Sequence, residues 1–171
     1  MKIAITDACI FIDLYELVLI QYFFNLQLDV HTSVNVFNEL NSLQQEVLKA
    51  FQSAGKLTVH NITEADKIVI QNKKYPNSLS ESDKSVLYLA EKIDAIVISS
   101  DRTVRHNAKM RSVEYHGMFW ILDNFKEEKI ISPGEAINKL KVMVQSNIIY
   151  QNNPQLLTEM NSRIKKWGKE L

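Results

Sequence analysis

The chain has 171 residues, enough for one domain with a sizeable hydrophobic core. Its 46% apolar and 23% charged content is typical of a globular protein, and the 20 basic residues balance the 20 acidic ones. A protein that coats nucleic acid is usually more basic, so phosphate binding would require a local patch. The single cysteine, Cys9, excludes an intramolecular disulfide and a cysteine-based zinc site, and it is compatible with a reducing compartment.

Short runs of β-branched and apolar residues predict five strands. In chain order they lie at 2–6, 28–32, 56–62, 95–99 and 112–116. KIAIT and AIVIS, the first and the fourth, have the continuous apolar character of strands buried on both faces. The last, SVEYH, is short and has a weaker pattern.

Helical patterns separate the strands and follow the last of them. The predicted helices lie at 8–26, in a stretch of two helical patterns from 33 through 40 and on to about 54, and at 63–74, 80–93, 102–111, 118–128, 133–147 and 154–167. Ser33 and Ser80 are expected to cap two of these helices, and Gly55 ends the second helical stretch. Strands that alternate with helices predict an α/β domain with a mostly parallel sheet that is covered on both faces.

The apolar stretch 8–26 approaches the length of a bilayer span, but Asp13, Glu16 and Gln21 interrupt it. Asp7 and Asp13 interrupt the apolar region, and no small-residue cleavage site follows it. Both observations argue against a signal peptide. We therefore expect a cytoplasmic protein without a membrane span. The stretch predicts a helix buried on more than one face, covered either by a partner chain, as in a homodimer, or by the C-terminal helices.

Several common catalytic and binding motifs are absent. The chain has only four glycines and contains no GxGxxG, GxxxxGK[ST] or GxSxG run. These absences argue against dinucleotide binding, P-loop nucleotide binding and a serine hydrolase of the α/β type. The four histidines also lack the spacing of a metal site.

Four acids lie near strand ends or on the apolar faces of helices. They are Asp7, Glu39, Asp83 and Asp101. Asp7 and Asp101 follow buried strands, and in parallel sheets the ligand site lies outside the carboxyl ends of the strands. Asp83 precedes the apolar positions of its helix by three, four and seven residues, so its carboxylate shares their face. Glu39 shares a predicted helix face with Val36 and Leu43.

Each acid also has a purely structural interpretation. Asp7 and Asp101 could cap the helices that follow them. Asp83 could form a capping box with Ser80, and Glu39 could lie at the edge of an apolar stripe. Taken together, however, four carboxylates that converge would repel one another unless a cation lay among them. Oxygen ligands of this kind suit Mg²⁺ or Mn²⁺, which can lower the pKa of bound water and stabilise charge on a phosphoryl group.

Basic residues follow Asp101 directly. Arg102 and Arg105 lie within one turn of it and could bind substrate phosphates. The alternative is that this run is a solvated helix face.

Three blocks of sequence, ITDACIFIDL, HTSVNVFNEL and LSESDKSVLYLAEKIDAIVISSDRTVRHNA, resemble the PIN-domain family in their order and acidic positions. The resemblance is strongest to VapC-like bacterial toxins and related PIN-like proteins, and it covers roughly residues 1–125. It implies a three-layer α/β/α sandwich and Mg²⁺- or Mn²⁺-dependent endonucleolytic cleavage of RNA. It also implies a cognate antitoxin as a protein partner, and dimers are common in the family.

The resemblance assigns the family's acidic positions to the same four residues, Asp7, Glu39, Asp83 and Asp101. We expect one PIN-like domain over 1–171, with a core of about 1–125 and a C-terminal helical extension of about 126–171. Cys9 stands where the family often has Ser or Thr, and a thiol is a poor partner for a hard cation. Ser100 replaces an acid or Asn that often precedes the last aspartate.

The first functional hypothesis is therefore a metal-dependent ribonuclease in which Ser100, Arg102 and Arg105 contact the substrate. The second is a catalytically weakened PIN-like module that binds RNA or a partner protein without turnover, which Cys9 and Ser100 motivate. A phosphoacceptor domain that uses a strand-end aspartate is a third reading. It is weaker, because paired acids near the first strand are missing.

Overall fold

The computed structural model describes residues 1–171 and contains one five-stranded parallel sheet. The strands are β1 (Lys2–Thr6), β2 (Leu28–Ser33), β3 (Leu57–His60), β4 (Ile96–Ile98) and β5 (Tyr115–His116). Their order in the sheet is β3-β2-β1-β4-β5, so β1 lies at the centre between β2 and β4. The predicted α/β class with a parallel sheet flanked by helices is confirmed.

Eleven helices connect and follow the strands. They are α1 (Ala8–Glu16), α2 (Ile20–Phe23), α3 (Val34–Glu39), α4 (Ser42–Ser53), α5 (Glu64–Asn72), α6 (Glu81–Lys92), α7 (Arg102–Met110), α8 (Met118–Glu127), α9 (Pro133–Ser146), α10 (Ile148–Gln151) and α11 (Pro154–Gly168). Ser33 and Ser80 cap α3 and α6 through their side-chain oxygens, as predicted. The short helix α10 has no counterpart among the predicted elements.

The single helix predicted over 8–26 is wrong, because the chain breaks between α1 and α2. Val18 adopts a left-handed backbone conformation with φ 58°, which ends the first helix. A continuous apolar run does not reveal such a break, since both halves are buried. The two helical patterns predicted between Ser33 and about Ala54 correspond to α3 and α4, and Leu40 between them has an extended backbone.

Helices of the same chain cover the apolar surface of α1 and α2. The Tyr22 ring packs edge-on against Phe125 of α8 at 6.4 Å, and Phe24 stacks on Phe51 of α4 at 4.1 Å. The Nζ of Lys139 in α9 donates to the backbone carbonyl of Leu17 at 2.6 Å. The chain's own helices, the C-terminal α8 and α9 among them, therefore cover part of this stretch.

The hydrophobic core runs from the sheet into the C-terminal helices. Its 42 buried residues extend from Ala4 to Trp167 of α11, the largest fully buried side chain. None of the helices combines the length and the apolar character that crossing a bilayer would require. The C-terminal helices therefore contribute to the same core as the sheet.

The carboxyl ends of the three central strands meet at one edge of the sheet. The backbone N–H of Asp7 donates to the carbonyl of Ile98 at 3.0 Å, which extends the β1–β4 pairing by one residue. The Thr32 hydroxyl donates to the carbonyl of Thr6 at 2.7 Å, which ties β2 to β1 at the same level. The residues that directly follow these strands are thus brought together.

A pair of histidines joins β2 to β3. Nδ1 of His31 and Nε2 of His60 lie 2.7 Å apart, and Nε2 of His31 lies 3.0 Å from a carboxylate oxygen of Asp29. Burial, followed by the neighbouring His31, lowers the pKa of His60 below its ordinary value. Protonation of His60 therefore disfavours the folded chain.

We expect this pair to make stability depend on pH. Because the pKa of His60 is lowered in the folded chain, its contribution to the free energy of unfolding is fully present above the unfolded pKa of about 6.5. That contribution is lost as pH falls through the folded value. His60→Gln should therefore lose less stability than the wild type between about pH 7.5 and about pH 5. Urea unfolding at the two pH values measures this difference, and equal losses in the two proteins would contradict it.

Candidate active site

Asp7 lies at the centre of the carboxyl edge of the sheet. It is the N-cap of α1, and its Oδ1 accepts the backbone N–H of Ala8 at 2.6 Å. Its Oδ2 accepts the Ser99 hydroxyl at 2.7 Å. The residue is only 4% exposed, so its carboxylate is held in one orientation by neutral donors.

Ser99 connects Asp7 to Asp101. The Ser99 Oγ donates to Asp7 and accepts the backbone N–H of Asp101 at 3.1 Å. Asp101 in turn caps α7 through Oδ1, which accepts the N–H of Val104 at 2.9 Å, and its side chain is exposed. Sequence reasoning missed Ser99 and selected its neighbour Ser100. Which of the two serines faces Asp7 depends on the register of β4 against β1.

Asp83 occupies the first turn of α6 and is half-buried. Its Oδ2 accepts the backbone N–H of Ser80 at 2.8 Å, and the Ser80 hydroxyl accepts the N–H of Asp83 at 3.1 Å. The capping box considered from the sequence is therefore present. The Oγ atoms of Ser33 and Ser85 lie 2.7 Å apart and join the end of β2 to α6. This contact anchors the first turns of α6 at the site.

The electrostatics of Asp7 connect it to Asp83. Burial raises the pKa of Asp7 above its ordinary value, and the negative charge of Asp83 raises it further. Hydrogen bonds from Ser99, the N–H of Ala8 and Cys9 act in the opposite direction, and all three donors are neutral. The two carboxylates therefore lie within electrostatic reach of one another, and a cation between them would stabilise both.

Glu39 does not lie where its sequence pattern predicted. It is the last residue of α3 and is exposed, and the chain turns out of the helix at Leu40. Leu43 belongs to α4 and is 60% exposed, so the helix face predicted for Glu39 and Leu43 does not exist. The structure connects Asp7 to Asp101 through Ser99 and to Asp83 through their charges, and it leaves Glu39 on the surface.

Cys9 lies against the catalytic candidate Asp7. Its Sγ lies 3.5 Å from Oδ2 of Asp7 and 3.7 Å from Oγ of Ser99, and it accepts the N–H of Ser100 at 3.3 Å. Burial and the charge of Asp7 raise the pKa of Cys9, so the thiol stays neutral. A neutral thiol therefore fills the space beside the carboxylate.

Tyr150 brings the C-terminal helices to the same edge. Its hydroxyl donates to the Ser100 Oγ at 3.4 Å, and burial raises the pKa of Tyr150 to about 12. Ser100 therefore has a partner within the chain. No pattern near Tyr150 indicated a site, because the contact depends on how α10 folds back over the sheet.

The two predicted phosphate-binding arginines have different surroundings. Arg102 is exposed at the first turn of α7. Arg105 is half-buried, with its guanidinium 5.4 Å from the centre of the Tyr115 ring. A Cβ at Gly117 would lie 3.1 Å from Nη1 of Arg105, so the glycine leaves room for this guanidinium. Arg102 is free to contact a ligand, whereas Arg105 is engaged in packing.

No group of three or more His, Cys, Asp or Glu side chains is arranged to hold a metal ion. Mg²⁺, however, usually keeps several waters and binds through one or two carboxylates together with substrate phosphates. The mutually repelling pair of Asp7 and Asp83 fits that mode, and the neutral thiol of Cys9 does not add to it.

A family model described as DUF3368: PIN domain matches residues 3–166. The match includes all four acids and also extends over α8 to α10 and most of α11, well beyond the region of roughly 1–125 in which the sequence resemblance lies. No curated protein matches the chain significantly.

Proposed function

The chain belongs to the PIN-domain family, whose fold is of the nuclease type, and from this premise we propose that it is a metal-dependent endoribonuclease. The substrate would be RNA, and the reaction would be hydrolysis of a phosphodiester bond. Mg²⁺ or Mn²⁺ would be the cofactor, since carboxylate oxygens are the ligands that these ions prefer.

One observation carries the proposal. The buried carboxylate of Asp7 is oriented by neutral donors at the carboxyl edge of a parallel sheet, and its pKa is raised by burial and by Asp83. An uncompensated pair of this kind destabilises the empty protein. Carboxyl groups with strongly perturbed pKa values cluster at functional sites, where a bound cation offsets their repulsion.

In the proposed mechanism three of the acids have separate tasks. Asp7 and Asp83 would hold the cation, and Asp101 would contribute a further carboxylate from the start of α7. When bound, the ion would supply Lewis-acid stabilisation of charge on the phosphate and a lowered pKa for water. Arg102 would bind a substrate phosphate, whereas Glu39, exposed at the end of α3, has no contact that supports its predicted role.

Ser99 is a positioning residue in this scheme, because it fixes the Asp7 carboxylate and connects it to Asp101. We expect Ser99→Ala to weaken Mn²⁺ binding and RNA cleavage by about 10- to 100-fold, as loss of a partner to a metal ligand usually does. Ser100→Ala is the matched control and should change both by less than about threefold, since its hydroxyl does not contact Asp7.

The proposal is tested by incubating end-labelled RNA with the wild type and both serine variants, in Mn²⁺ and in EDTA. Calorimetric titration with Mn²⁺ follows metal binding separately. The proposal expects Mn²⁺-dependent cleavage that decreases in Ser99→Ala alone. Wild-type protein that binds no Mn²⁺ and leaves RNA intact would overturn it.

A second candidate function is a PIN-like module that binds RNA or a partner protein without turnover. The neutral thiol of Cys9 beside Asp7 favours it, because this position offers a hard cation no oxygen ligand. Cys9→Ser distinguishes the two functions. An inactive wild type whose Cys9→Ser variant cleaves RNA with Mn²⁺ would support the weakened module.

The proposed biological role is that of the toxin in a toxin–antitoxin pair, with a cognate antitoxin protein as partner and a homodimer as its assembly. Family membership supports this role. Induced expression in a bacterial host should arrest growth, and co-expression of a neighbouring small gene should relieve the arrest.

A further inference from the structure

Two open cavities lie on opposite sides of the loop 75–80. The first, of ≈ 700 Å³, is lined mainly by lysines and amides: Lys67, Lys74, Lys84, Asn35, Gln71 and Asn77. The second, of ≈ 730 Å³, is also basic and includes Arg102, His106 and Arg111. A chain with no net charge therefore concentrates positive charge in two neighbouring depressions.

The loop is the wall between these cavities. Asn77 lines the first cavity, whereas Pro76 and Ser78 line the second. The loop leads directly to Ser80, the N-cap of α6. Both cavities therefore border the segment that introduces Asp83.

Each cavity is lined by a basic residue that directly follows one of the acids in sequence. Lys84 of the first cavity follows Asp83 in the first turns of α6, and Arg102 of the second follows Asp101 at the start of α7. The first turn of α6, which carries Asp83, and that of α7, which follows Asp101, therefore each contribute a basic residue to one cavity. A single strand that passed both acids would extend into both cavities.

The wall is held in place by buried contacts. The Tyr75 hydroxyl donates to Glu91 at 3.1 Å, and the guanidinium of Arg111 lies 4.0 Å from the centre of the Tyr75 ring. Arg111 also pairs with Glu91 at 3.3 Å. These contacts fix Tyr75, the first residue of the loop, against α6 and the end of α7.

Two cations are available for an anionic ligand. Lys67 and Lys84 pair with Glu64 and Glu81 at 2.7 and 3.1 Å. Lys74, in the first cavity, and Arg102, in the second, enter no ion pair and are both exposed. Each cavity therefore offers one unpaired positive charge.

We propose that the two cavities form one track for single-stranded RNA, with backbone phosphates at Lys74 on one side of the acidic site and at Arg102 on the other. This inference rests on the proposed ribonuclease function and adds the path of its substrate. The amides of Asn35, Gln71 and Asn77 face unpaired base edges and ribose hydroxyls, which single strands expose and duplexes bury.

Binding in EDTA tests the track without cleavage. Fluorescence anisotropy follows a labelled single-stranded RNA of about 16 nucleotides on the full-length protein, a length chosen as the scale of a single-strand site. Lys74→Glu and Arg102→Glu should each weaken binding by about fivefold or more at about 50 mM salt, and each should reduce the salt dependence by about 0.7 in log–log slope. Lys169→Glu makes the same charge change at the far end of the chain and should leave affinity unchanged.

The outcomes separate the track from the proposed function. Wild-type affinity in Lys74→Glu and Arg102→Glu would overturn the track, even if the protein cleaves RNA. Weakened binding in both variants, with no cleavage under any metal condition, would support the track and overturn the nuclease. A poly-glutamate peptide that competes as strongly as unlabelled RNA would overturn the RNA assignment in favour of an acidic protein partner.

Discussion

Asp7→Asn is expected to lower the rate of Mn²⁺-dependent RNA cleavage by about 10³-fold or more, because it removes the central negative charge of the proposed cation site. The substitution keeps the local structure. An asparagine oxygen can still accept the N–H of Ala8, and its amide N–H can donate to Ser99, where the carboxylate now accepts. Initial rates on labelled RNA measure the loss.

The same variant should be at least as stable as the wild type near pH 7 in EDTA. The pKa of Asp7 is raised in the folded chain, so ionisation of this group disfavours folding, and its penalty grows as pH rises through the folded value. Urea unfolding tests this, with Glu46→Gln at an exposed position of α4 as a control for loss of one charge. Undiminished cleavage by Asp7→Asn would exclude Asp7 from the reaction, whatever its stability.

Trp167→Ala is expected to lower the free energy of unfolding by about 3–5 kcal/mol, the usual cost of deleting a fully buried tryptophan side chain. Trp167 is 1% exposed and lies near the end of α11, where it joins the same core as the sheet. Trp120→Ala is the matched control, since Trp120 is half-buried and stacks on His116 at 4.2 Å. Trp120→Ala should lower the free energy of unfolding by clearly less than Trp167→Ala does.

Urea unfolding followed by circular dichroism measures both variants. The result bears on domain organisation, because we propose that residues 1–171 form one cooperative domain. A single transition that shifts as a whole in Trp167→Ala supports this. A separate early transition, with the remainder of the curve unchanged, would show that the C-terminal helices unfold independently.

Local sequence signals were reliable where one residue decides a local structure. The hydroxyls of Ser33 and Ser80 cap their helices because a short oxygen side chain satisfies free N–H groups without help from the rest of the fold. The apolar strand runs were equally informative, since a strand buried on both faces has no polar positions. Breaks inside buried helical stretches, such as that at Val18, carried no such signal.

Within the candidate site, the sequence located acids but could not assign their neighbours. Ser99 and Ser100 are equivalent in sequence, and only Ser99 faces Asp7. Cys9 departs from the family pattern, and its contact with Asp7 places a neutral thiol beside the carboxylate. Tyr150 and Lys74 gained their positions from chain segments that are remote from the acids in sequence.

The sequence by itself determined the α/β class, the parallel sheet and the placement of Asp7 and Asp101 after buried strands, because strand burial and helix capping depend on nearby residues. The tertiary structure alone decided the rest. The adjacency of β1 and β4 brings Ser99 against Asp7, the packing of α6 brings Asp83 near both, and the end of α3 leaves Glu39 exposed. These outcomes depend on strand order and helix packing, which arise from contacts between residues far apart in the chain.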